Sequence, residues 1–64
     1  MKMLSVLTYE LQVGDVWGNA YITRLEPPTS LKHLHDWSWM VFFDNGQLAS
    51  SLGSAQWLIF RKEE

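Results

Sequence analysis

Sixty-four residues leave room for one domain, spanning residues 1–64, and a single small core; a chain of this size buries only about 60% of the surface its unfolded form exposes. With no cysteine, neither a disulfide nor a thiolate zinc site can reinforce that core, so aromatic packing or self-association must. A hydrophobic content of 47% excludes a disordered chain, and a net charge of −2 with Lys2, Arg24, Lys32, Arg61 and Lys62 scattered gives no basic run of the kind phosphate binding draws on.

The chain opens on Met3–Val13, MLSVLTYELQV, where Leu7, Tyr9, Leu11 and Val13 share one face at period two and Ser5 interrupts any helical stripe. This spacing predicts a first strand that fades into Val13-Gly14-Asp15, where glycine opens positive φ for a turn. Residues 1–12, MKMLSVLTYELQ, have one early lysine, an apolar run broken at Ser5 and Thr8, and no small-residue cleavage site, so they do not read as a signal peptide. No stretch approaches the roughly 20 apolar residues of a membrane span. A soluble, cytoplasmic protein is the expectation.

Trp17–Ala20, WGNA, gives a second turn and leaves one short extended piece around Val16. Ala20–Glu26, AYITRLE, is rich in β-branched and aromatic residues and stops at Pro27-Pro28, which cannot donate to a ladder; it is the second strand. Pro27–Asp36 lacks both a strand period and the length of a helix. It is expected as a surface loop with at most one helical turn through Leu31 and Leu34, and as the candidate for a mobile binding loop.

Trp37–Phe43, WSWMVFF, is apolar on both faces and ends at Asp44-Asn45-Gly46. Asn-Gly suits a two-residue type I′ turn, which sets Phe43 opposite Leu48, Val41 opposite Ser50, Trp39 opposite Leu52, Phe42 opposite Ala49 and Met40 opposite Ser51. The register one residue away sets Ser38 against Leu52 and is disfavoured for that mismatch. On this reading Trp37, Trp39, Val41 and Phe43 form the core face, and Met40 and Phe42, opposed by small residues, are folded under a bent sheet or left for a partner. Gly53–Gln56 breaks the pattern, Trp57–Arg61 (WLIFR) is the last strand, with Leu58 and Phe60 on the side away from Trp57 and Ile59, and Lys62-Glu63-Glu64 is expected to fray.

Residues that carry chemistry are sparse. His33, His35 and Asp36 form HLHD, two imidazoles within reach of one ion, but no second ligand cluster exists to complete a site. Ser50, Ser51 and Ser54 have no nucleophile elbow and no nearby base, and Asp15, Asp36 and Asp44 sit at turns, where carboxylates bond local backbone N–H groups. No enzyme activity, metal, cofactor or small-molecule substrate is expected.

The order of strand, turn-rich loop, strand, long loop, strand, tight hairpin, strand, short turn and strand, with LQVGD at Leu11–Asp15 and DNG at Asp44–Gly46, resembles the small SH3-like barrels. That resemblance implies an all-β fold: a five-stranded SH3-like barrel or a strongly bent antiparallel sheet with one long mid-chain loop. The chain departs from the peptide-binding SH3 domains in lacking an acidic loop and a paired aromatic motif, so proline-rich ligands are not expected. In size, lack of cysteine and aromatic content it also resembles accessory proteins of bacteriophages and mobile elements, which implies a modulator or inhibitor of a host protein. The functional expectation is a non-catalytic protein-binding module, or a self-associating small barrel, acting through Trp17, Leu31, His33, Leu34, His35, Trp37, Met40 and Phe42. The alternative is a nucleic-acid-binding barrel that stacks bases on Trp37, Trp39 or Tyr21 and meets phosphates with Arg24, Lys32 or Arg61.

Overall fold

A computed structural model describes residues 1–62; Glu63 and Glu64, expected to fray, lie outside the described residues. The chain is all-β. Six antiparallel strands, β1 (Lys2–Leu7), β2 (Val16–Trp17), β3 (Ala20–Glu26), β4 (Ser38–Phe43), β5 (Leu48–Leu52) and β6 (Gln56–Arg61), form one open sheet in the order β1-β6-β2-β3-β4-β5. The sixth strand, beyond the five expected, is the two-residue β2 at Val16, the position read as a short extended piece.

β3 belongs to both halves of the sheet. Its N-terminal half pairs with β2 and its remainder with β4, and the register slips between Ile22 and Arg24. A bulge at this point bends a strand and raises its twist. The bend brings the inner faces of the two halves together: Val6, Ala20, Ile22, Trp57 and Ile59 pack in one cluster with Val41 and Phe43. Ile22, Val41 and Ile59 are wholly excluded from solvent, each gaining about 1.5–3 kcal/mol from that burial.

The first strand is shorter than the period-two pattern predicts. It ends at Leu7, and Thr8–Glu10 forms a 3₁₀ turn. The cause is local polar chemistry: the Glu10 carboxylate accepts from the Leu7 N–H at 2.8 Å, and Thr8, fully buried, donates its N–H to the Ala55 carbonyl at 2.9 Å. The Thr8 hydroxyl also accepts from the Trp57 indole N–H at 2.8 Å. Backbone and side-chain bonds of this kind outcompete a continued ladder. Past the turn, Leu11 still reaches the core, whereas Val13 is exposed.

The β4–β5 hairpin takes the disfavoured register. Ser38 pairs with Leu52, Trp39 with Ser51, Met40 with Ser50, Val41 with Ala49 and Phe42 with Leu48. The loop is Asp44–Gly46 rather than two residues: Phe43 donates to the Gln47 carbonyl at 3.0 Å, Gly46 donates to the Phe43 carbonyl at 3.2 Å, and Gly46 alone takes positive φ, +85°. Asn45 keeps negative φ and uses its side-chain oxygen to accept from the Gln47 N–H. A turn followed by a left-handed glycine is the usual three-residue hairpin. Packing selects it, because on the inner face it sets small Ala49 and Ser51 against bulky Val41 and Trp39 and turns Leu48 and Leu52 outward.

Candidate functional site

The loop between β3 and β4 is pinned. Leu31–His33 makes one 3₁₀ turn. The Trp39 indole N–H donates to the Leu34 carbonyl at 2.7 Å, and the Gly53 N–H donates to the Trp37 carbonyl at 3.0 Å. Gly53 is buried against the loop so closely that a Cβ there would lie 2.0 Å from the Leu34 carbonyl oxygen and 2.8 Å from the His35 Cα. His33 stacks on Trp37 with ring centroids 4.2 Å apart, and His35 stacks on Tyr9 at 3.9 Å. The two imidazoles thus face different aromatic partners, and Asp36 lies 3.6 Å from His33 Nδ1 alone. Among the described residues no three His, Cys, Asp or Glu side chains converge. Trp37, expected on the core face, precedes β4 and stays exposed, as does Leu31 at 81%.

Trp17 stands on the inner side of β2 opposite Ala20. Its ring meets Trp57 edge-on at 5.1 Å and Phe43 at 5.5 Å, so it completes the core at one open end of the bent sheet while remaining 43% exposed. Beside it lies a shallow cleft of about 250 Å³ lined by Trp17, Phe43, Gln47, Leu48 and Ala49. Trp17 is therefore a rim residue, separate from the His33–Trp37 loop that accompanied it among the sequence candidates.

The outer face holds a row of which sequence periodicity shows only Phe60 and its neighbour Leu58. Met3 pairs with Phe60, Phe60 with Val16 and Val16 with Tyr21, so four side chains form one row across β1, β6, β2 and β3. Directly paired residues share a face. Phe60 is 42% exposed, Tyr21 49% and Met3 56%, and exposed Leu58 lies beside them on β6. The unbroken apolar run of WLIFR, which in a strand must put Leu58 and Phe60 on the side away from Trp57 and Ile59, was the available signal for those two; nothing in the sequence placed Tyr21 or Met3 next to them.

On the other half of the outer face, Met40 and Phe42 are only half-buried, so they belong neither to the core nor to a bare patch. The Arg24 guanidinium lies 5.2 Å from the centre of the Phe42 ring and pairs with Glu26, which faces Met40. Arg24 is thereby committed to a carboxylate and an aromatic face.

Arg61 is committed as well. It meets Asp15, 2% exposed, through Nε at 2.9 Å and Nη2 at 2.8 Å, and Nη2 also donates to the Glu10 carbonyl at 3.1 Å. The Gln12 N–H donates to the same carboxylate at 2.8 Å. The hydrogen bonds to Asp15 and its charge raise the Arg61 pKa above the ordinary arginine value, against desolvation. Asp15, read as a turn residue, is the buried anchor that ties the β1–β2 segment to the end of β6; the cleft of about 230 Å³ beside it has this pair in its lining. Among the described residues no buried side-chain nitrogen or oxygen lacks a partner, and no helix is long and apolar enough to cross a membrane. No protein-family model, curated protein or solved structure matches the chain.

Proposed function

We propose that the protein is a non-catalytic protein-binding module that captures its partner on the outer face of the sheet. The observation that carries this reading is the row Met3–Phe60–Val16–Tyr21, with Leu58 beside it. Aromatic residues and Met with few charges are the composition of interface centres, and contiguous exposed apolar surface on a small domain marks an interaction site. The rigid strands hold these side chains in place before binding, so little conformational freedom is lost on contact. A modulator of a host-cell protein is the specific form of this reading.

Support for nucleic-acid binding is weaker. Arg61 and Arg24, two of its three cationic contacts, are paired with Asp15 and Glu26, and Trp39, one of its stacking rings, is buried. A groove that tracks phosphates needs unpaired cations beside exposed rings.

The test is affinity capture from lysate of the source cells with wild-type and Phe60→Lys baits. Wild type is expected to retain a specific prey that Phe60→Lys loses, while the variant's unfolding midpoint stays within about 5 °C, as suits an exposed position. A variant that keeps every wild-type prey, or that no longer folds, would overturn the assignment of the row as the binding face.

A further inference from the structure

We infer that the free edge of β5 is a self-recognition strand, through which two copies of this chain pair antiparallel about Ser50. The sheet ends on β5, whose register with β4 runs unbroken from Ser38–Leu52 to Phe42–Leu48. Because Phe43 donates to Gln47, the hydrogen-bonded pairs of this ladder continue at Val41–Ala49 and Trp39–Ser51. The backbone groups of Leu48, Ser50 and Leu52 therefore point away from β4 along the open edge. Among the described residues only the Leu52 carbonyl of this edge has another use, accepting from the Ala55 N–H at 3.0 Å.

Sheet edges in monomeric proteins are ordinarily blocked by charge, proline or a bulge. LASSL has none of these, whereas the opposite edge, β1, begins with Lys2. The occupant is a second copy because the strand is self-complementary. A two-fold axis at Ser50 sets Ser50 against Ser50, Ala49 against Ser51 and Leu48 against Leu52, with no like charges opposed. The Leu48 and Leu52 side chains, 54% and 53% exposed on the outer face, cover each other across that axis. Ser50 of each copy exchanges both backbone bonds with its twin, and each Leu52 N–H donates to the Leu48 carbonyl of the second copy, leaving the Leu52–Ala55 bond intact.

This edge lies on a different strand from the Phe60 row, so the two surfaces fail separately. The experiment is sedimentation or light scattering over a concentration series at low ionic strength, on wild type, Ser50→Lys, Ser50→Glu and an equimolar mixture of the two variants. Wild type is expected to pass from the 7.5 kDa chain to twice that mass as concentration rises. Each variant, with like charges opposed at the axis, weakens association about five- to tenfold, and the mixture restores it. Leu48→Lys, which meets Leu52 of the second copy, weakens association in the same sense and serves if a Ser50 variant misfolds. A wild type that stays at 7.5 kDa into the millimolar range, variants that associate as wild type does, or a mixture no better than its components overturns the inference.

Discussion

β4 and β6 are built from the same kind of sequence and end differently. Both are apolar on both faces, WMVFF in one and WLIF in the other, and both bury their odd-numbered residues: Trp39, Val41 and Phe43 against Trp57 and Ile59. The even-numbered residues diverge. Met40 and Phe42 are half-buried under Arg24 and Glu26 on neighbouring β3, whereas Leu58 and Phe60 face Ser5, Met3 and Val16 and stay exposed. The exposure of an outward side chain is thus set by what its cross-strand neighbour can lay over it. A long guanidinium covers a ring, and a serine covers nothing.

Each strand also has its own fastener, charged for β6 and apolar-polar for β4, and breaking them should rank the two. Arg61→Met removes the partner of a nearly fully buried carboxylate and leaves Asp15 with the Gln12 N–H alone. A loss of about 3–5 kcal/mol is expected, read as a fall in the denaturant midpoint at unchanged slope. Gly53→Ala drives a methyl into the Leu34 carbonyl and so loosens the loop from β4's entry. It is expected to cost about 1–3 kcal/mol by the same measurement, and to unstack His33 from Trp37, seen as a change in exposed tryptophan fluorescence. If Gly53→Ala proves the more damaging of the two, the charged clasp is not the main fastener.

How much of this was legible depends on whether the determining contact is local. β3 and β6 were readable because composition and punctuation act within a few residues: Pro27-Pro28 stops one, and a short apolar run set off by the turn at Gly53–Gln56 marks the other. β1 was over-extended because its end is decided by Ala55 and Trp57 across the molecule. The hairpin register was misread because Asn-Gly permits two loop lengths, and the choice rests on room for Trp39 and Val41 beside Ser51 and Ala49. Among the candidate residues, the separation of Trp17 from the loop was not legible, and the Met3–Phe60–Val16–Tyr21 row could not be read because it brings the two ends of the chain against β2 and β3. The turn can be probed directly. Gly46→Ala, at φ +85°, is expected to cost about 1–2 kcal/mol and Asn45→Ala under about 1, whereas a type I′ turn would require positive φ of both residues.

The smallest expected difference is the one that bears most directly on the comparison. Phe42→Ser removes a ring that Arg24 covers, and Phe60→Ser removes one that has only Met3 and Val16 beside it and stays 42% exposed. Loss of area and of the cation–ring contact should make Phe42→Ser the costlier of the two by about 1 kcal/mol. Arg24→Ala should then bring the two into line, because it strips Phe42 to the state Phe60 already has and frees Glu26 as well. Equal costs in the wild-type background would mean that the Arg24 cover contributes nothing to folding. In that case the β4 outer surface would be as available to a partner as the β6 surface, and the distinction between a dressed face and a bare one would have to rest on binding measurements alone.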